Sequence, residues 1–294
     1  MSVLKGASTG VAVITPFTNQ GDVDFEALKR IIHFLIDQGI DFLVALGTTG
    51  ESVTLTHAEQ QAVFAVFVQE VNGRVPLVMG LGGNNTAALV DEFQQIETTG
   101  FDAILSVTPY YNRPSQEGLY RHYMALDAVT PLPLIVYNVP GRTGVNMTAE
   151  TTLRLANDAQ HIIAVKDASG DLVQGKEIIS NAPEGFLVLS GDDETAIPLT
   201  LLGGAGVISV AAGGFPKTFS AGIQAAINKN TEKANQITNQ LLPVIDLLFM
   251  EGNPAGIKAV SALKHLSTDA VRLPLVKASE GLTDALRPFV AQLD

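Results

Sequence analysis

The chain has 294 residues, 46% hydrophobic and only 16% charged, with a formal net charge of −12 and no cysteine. A core large enough for one big domain or two modest ones is expected, while extensive disorder, disulfide frameworks, thiolate nucleophiles and Cys-bound zinc are excluded. No Lys/Arg-rich run is present, so nucleic acid and anionic membranes, which demand clustered positive charge, are not expected partners.

The opening residues Met1-Ser2-Val3-Leu4-Lys5-Gly6 show no basic segment followed by an apolar run. No export signal is read there, and the expectation is a cytoplasmic protein. Beyond them, short apolar β-rich runs alternate with amphipathic stretches. The predicted strands are Gly10–Ile14, Phe42–Leu46, Leu77–Leu81, Ala103–Val107, Leu134–Tyr137, Ile162–Val165, Leu187–Ser190 and Val207–Val210. Most are continuous in Val, Ile, Leu and Ala, as parallel strands covered on both faces should be. Between the first two, Asp24–Gln38 puts Leu28, Ile31, Ile32 and Leu35 on one helical face. Thr56 with Glu59 predicts a capping box, and Thr148 opens another helix. The uncharged stretch Thr195–Pro216 contains Pro198 and five glycines, which would break a lipid-facing helix. It reads instead as a buried strand flanked by glycine turns.

Eight strands with intervening helices, repeating every ~30 residues, predict a (β/α)8 barrel. A doubly wound open sheet is the rival, but Thr15-Pro16-Phe17 after the first strand has no nucleotide-binding glycine pattern. After about Asn228 the strands cease, and Thr231–Met250, Gly256–Leu266 and Glu280–Leu293 read as helices, the last kinked at Pro288. The predicted organisation is a catalytic barrel over residues 1–226 and a C-terminal helical extension over 227–294.

Barrel chemistry belongs at the C-terminal ends of the strands. There the sequence offers one lysine, several hydroxyls and few histidines. Lys166 follows the apolar run of the sixth strand; a buried lysine without a counter-charge is disfavoured as ammonium, and a neutral amine can attack a ketone to form a Schiff base. A solvated Lys166–Asp167 ion pair capping the strand is the bland alternative. Tyr137, ending the preceding strand, is placed to shuttle protons, with Thr48 and Tyr111 on other rim loops as further hydroxyls. A rim tyrosine packing its ring and a simple turn threonine are the ordinary readings of those residues. Gly47-Thr48-Thr49-Gly50-Glu51 suits a small carboxylate, and Arg142 in Pro140-Gly141-Arg142-Thr143-Gly144 could clamp a second one. The five histidines, His33, His57, His122, His161 and His265, are scattered, so no metal is expected. Gly213-Gly214 is a possible phosphate loop, disfavoured by the neighbouring Asp192-Asp193-Glu194.

Together, Gly47-Thr48-Thr49-Gly50-Glu51, Thr108-Pro109-Tyr110-Tyr111-Asn112-Arg113-Pro114, Tyr137-Asn138-Val139-Pro140-Gly141-Arg142-Thr143-Gly144, Val165-Lys166-Asp167-Ala168-Ser169-Gly170 and Gly206-Val207-Ile208-Ser209-Val210 resemble the dihydrodipicolinate synthase family. These are pyruvate-dependent class I aldolase-type enzymes of lysine and diaminopimelate biosynthesis. The resemblance runs through the extension to Glu251-Gly252-Asn253-Pro254; single motifs are shared with N-acetylneuraminate lyase and other 2-keto acid aldolases, and Arg142 points away from the lyase. It implies condensation of pyruvate with L-aspartate-4-semialdehyde without cofactor, with Lys166 as Schiff base and Tyr137 as proton donor. Thr48 and Tyr111 would complete the relay, Tyr111 from a neighbouring subunit of a homotetramer built as a dimer of dimers. Thr49, Gly191 and Ile208 would hold pyruvate, and Arg142 the semialdehyde carboxylate. Lysine-inhibited members carry a histidine and a glutamate where this chain has Gln60 and Ala88. Ser52, His57, Asn84 and Tyr110 remain as an allosteric remnant, and weak or absent feedback inhibition is expected.

Overall fold

Leu4 and residues 8–293 are described by a computed structural model; the rest of Met1–Gly6, read above for an export signal, lies outside them. The strands are β1 Thr9–Ala12, β2 Phe42–Ala45, β3 Leu77–Gly80, β4 Ala103–Val107, β5 Leu134–Asn138, β6 Ile162–Asp167, β7 Leu187–Ser190 and β8 Val207–Ser209. All are parallel, each pairs with the next, and β1 pairs with β8, closing a barrel. Alternation along each strand sorts the side chains. Phe42 and Val44 of β2 pack inside with Val78, Leu105, Ile135, Leu189 and Ile208, whereas Leu43 and Ala45 pack outward under the helices.

The outer ring is α1 Phe25–Asp37, α2 His57–Val71, α3 Thr86–Gln95, α4 Gln116–Asp127, α5 Pro140–Thr143, α6 Ala149–Asp158, α7 Leu172–Asn181, α8 Ala196–Leu201 and α9 Pro216–Ile227. In α1, Leu28, Ile31, Ile32 and Leu35 are all buried, and Asp24 caps the helix through Ala27 N–H. The Thr56–Glu59 capping box starts α2. α10 Thr231–Met250, α11 Ala255–Leu263 and α12 Glu280–Gln292 follow. Among the described residues no helix is long and apolar enough to cross a membrane.

The structure corrects the reading of 195–216. Its first third is helix α8, and only Val207–Ser209 is strand. Pro198 lies in the first turn of α8, where the missing N–H has no intrahelical partner to lose. Gly213-Gly214, already disfavoured as a phosphate loop, is not an open one. A side chain at Gly214 would meet Val260 Cγ1 of α11 at 2.6 Å, so the helix occupies that space. The N–H groups of Val210 and Ala211 are taken by the Asp193 carboxylate.

Candidate active site

β6 carries one more residue than β5 opposite it. Leu134 pairs with Ile162 but Ile135 pairs with Ala164, so Ile163 is skipped. Paired residues share a sheet face, and this bulge decides which residue of β6 meets Tyr137. Without it the partner would be Val165; with it, Lys166 pairs with Tyr137, and on its other side with Leu189, an interior residue. Lys166 is therefore inside the barrel, 5% exposed, and its Nζ lies 4.2 Å from the centroid of the Tyr137 ring. No ion pair or hydrogen bond of that amine is formed among the described residues.

The next pair in the ladder, Asn138 and Asp167, faces the helices instead. Asn138 Nδ2 donates to Asp167 Oδ1 at 3.0 Å and to Asn146 Oδ1 at 2.7 Å. Gln174 Nε2 of α7 donates to Asp167 Oδ2 at 3.2 Å, and Ser169 donates to the same carboxylate through both N–H and hydroxyl. Asp167 thus accepts four hydrogen bonds from three residues behind the sheet, and a Lys166–Asp167 ion pair is ruled out by strand alternation. Gly191, at the exit of β7, is required by the lysine: a Cβ there would come within 2.7 Å of Lys166 Cε and 2.8 Å of Ala168 Cβ.

Tyr137, on whose ring the amine packs, borders a cavity of about 240 Å³ whose lining also includes Thr48, Tyr110, Val139, Arg142 and Ser52. Arg142 lies on α5, whose turn closes through Gly144 at φ 76°. It is exposed, and its guanidinium has no partner among the described residues. Lys166, Thr49, Gly191 and Ile208 do not line the cavity, and Ile208 is wholly buried. Tyr111 is elsewhere: 88% exposed at φ 72°, it does not enter this chain's own cavity. No hydrogen bond joins Thr48, Tyr111 and Tyr137 among the described residues.

The 47–50 turn is held between two left-handed residues, Leu46 at φ 53° and Glu51 at φ 52°. Such conformations cost of order 1 kcal/mol or more for non-glycine residues and persist only where surroundings impose them. Gly80 admits the Leu46 carbonyl, which a Cβ would meet at 2.4 Å, and Thr15 Oγ1 donates to Gly50 O at 2.7 Å. On the far rim the buried Asp193 accepts from Ser209 Oγ at 2.6 Å and from Ala211 N–H at 2.8 Å, tying β7's exit to β8's. Burial pushes its carboxyl up to about 6, against those hydrogen bonds. The Leu46–Glu51 strain was not read from sequence, and Asp193 was read only as a charge disfavouring phosphate.

The remaining predicted residues gather beside the cavity. Asn84 Nδ2 donates to Tyr110 O at 3.0 Å, while His57 is exposed at the start of α2. Ser52 also borders a second cavity of about 180 Å³ with Gln60, Gln61, Phe64, Ile96 and Glu92. Glu92 was missed: a carboxylate does face this space, one helical turn beyond Ala88. Burial raises its pKa, partly opposed by His57. Among the described residues no three His, Asp or Glu side chains are grouped to hold a metal ion.

Residues 6–293 match the model of the dihydrodipicolinate synthetase family. The chain is similar to the 4-hydroxy-tetrahydrodipicolinate synthases of Flavobacterium psychrophilum (47% identity, covering 97% of each chain) and Bacillus subtilis (44%, covering 97% of this chain and 99% of that one). It is also similar in structure to a chloride-inhibited dihydrodipicolinate synthase from Acinetobacter baumannii complexed with pyruvate. There the TM-score is 0.92 at 40% identity, over 98% of this chain and 99% of that one. The chain belongs to the dihydrodipicolinate synthetase family.

Proposed function

We propose that Lys166 captures pyruvate as a Schiff base and that the protein condenses it with L-aspartate-4-semialdehyde. The enzyme is of the lyase type, in lysine and diaminopimelate biosynthesis, as membership of the family implies. One observation carries the assignment of the lysine: a buried amine with no ionic partner among the described residues, in register with a tyrosine whose ring it touches. The amine, on giving up a proton, attacks the keto carbon of pyruvate; the carbinol oxygen takes up a proton and leaves as water, giving an iminium. Loss of a methyl proton then gives an enamine, whose carbon attacks the semialdehyde's aldehyde. The semialdehyde's own amine displaces Lys166, closing the ring and freeing the enzyme.

Tyr137 delivers and recovers the protons, with Thr48 extending the path. Tyr111 serves the cavity of a second copy; its exposure and left-handed backbone support that role, within a homotetramer of paired dimers. Thr49 and the backbone at Gly191 and Ile208 hold the pyruvate carboxylate. Arg142, a cation unpaired among the described residues in a chain of net charge −12, takes the carboxylate of the semialdehyde. Ser52, His57, Asn84 and Tyr110 belong to the regulatory remnant. Residues 1–226 form the catalytic barrel, 227–294 the helical extension, and the location is cytoplasmic.

Borohydride reduction in the presence of pyruvate, followed by intact mass, tests this reading. One adduct per chain is expected, absent in Lys166→Ala. No adduct, or one that survives the substitution, would overturn it.

A further inference from the structure

The 47–51 turn is held by the C-terminal extension as well as by the barrel. Asn253, between α10 and α11 and 8% exposed, donates from Nδ2 to Thr49 Oγ1 at 3.0 Å. Thr49 is itself 2% exposed, and this is its one side-chain hydrogen bond among the described residues. A hydroxyl has a single proton, and an oxygen that accepts from an amide keeps that proton for another acceptor. Two residues on, the Glu51 carboxylate is paired with Lys258 Nζ of α11, and its Oε2 accepts from Arg272 N–H at 3.1 Å. Lys258 is fully buried, donates to Ala270 O at 2.8 Å and lies 4.0 Å from the Phe17 ring centroid. Buried ion pairs of this kind add little net stability, because desolvation offsets attraction; they fix geometry instead. Here the geometry fixed is the left-handed turn that follows Thr49.

We infer that Asn253 is a positioning residue for the keto-acid site: by donating to Thr49 it keeps the threonine's proton directed at the substrate carboxylate. The inference rests on the reading of Thr49 as a pyruvate contact. It makes the extension a working part of the catalytic centre, joined to it at Thr49 and anchored by the Lys258–Glu51 pair. Asn253 acts through Thr49 and touches no substrate, so its removal should weaken pyruvate binding and leave the later steps largely intact.

The test compares Asn253→Ala, Thr49→Val and their double variant by the pyruvate concentration that half-saturates borohydride trapping, and by kcat. Each single change should raise the half-saturating concentration about tenfold, the scale of one directed hydrogen bond to a charged acceptor, with a smaller change in kcat. The double variant should be no worse than Thr49→Val. Asn253→Asp preserves size but presents an acceptor, so it draws the threonine proton away and should exceed Asn253→Ala in effect. Its use keeps the question open to experiment if the alanine variant fails to fold. Additive losses in the double variant, or Asn253→Asp binding pyruvate as the parent does, would overturn the inference. A parent chain that traps no pyruvate overturns the Schiff-base reading itself.

Discussion

Tyr137 offers Lys166 two separable things, a ring face and a hydroxyl. Tyr137→Phe keeps the face that the amine packs on and removes the proton carrier. Turnover and the rate of Schiff-base formation should therefore fall by ~10²-fold or more, the usual scale for a lost proton-transfer group. Stopped-flow trapping and steady-state rates would measure this, and near-normal turnover would take the hydroxyl out of the relay. Both residues were legible in sequence, because each ends an apolar run and barrel strands end at the active face. Asn253 was not legible: its partner Thr49 is 204 residues away, and no local pattern announces a contact across that distance. Asp193 was misjudged for a similar reason. It was read as a charge repelling phosphate, whereas it is a buried acceptor holding the backbone of the next strand's exit.

At the scale of elements, the eight strands were found because parallel strands buried on both faces are dense in Val, Ile and Leu; no strand end moved by more than two residues. The bulge at Ile163 left no trace in composition, since an extra isoleucine in an isoleucine-rich run changes nothing that periodicity can detect. Yet it turns Lys166 inward. Helix α8 escaped because six residues with a proline are too few to set up a helical period. Helices α2 and α3 carry the question of feedback. Ala88 contributes no anion, and Glu92, a turn farther on, lies in a cavity beside Phe64 and Ile96, where burial disfavours its ionised form. A ligand with a free ammonium group finds no ready counter-ion there. In a coupled assay, lysine at sub-millimolar concentration should leave the rate nearly unchanged; strong inhibition would show that Glu92 ionises to meet it.

For the whole molecule, pH exposes two buried groups that oppose each other. His122, 3% exposed, is bound through Nδ1 to Thr86 Oγ1 at 2.9 Å, and its Nε2 has no partner among the described residues. Burial lowers its pKa from 6.5 to about 4. The unfolded chain therefore takes up this proton first, and stability present above pH 6.5 is lost as pH falls towards 4. Asp193 runs the other way. With its carboxyl raised from 3.8 to about 6, the folded chain takes up the proton first, and stability is gained as pH falls from about 6 towards 3.8. The two windows overlap and the shifts are of similar size, so the parent's stability should change little across them on their account. Replacing His122 by Gln removes one side of the balance. The stability of His122→Gln relative to the parent should rise by about 2 kcal/mol between pH 7 and pH 5, leaving a variant more stable in mild acid than at neutrality. Urea unfolding midpoints of both proteins at the two pH values measure that difference. A variant whose pH dependence parallels the parent's would mean that the His122 ring titrates in the fold as it does in the unfolded chain.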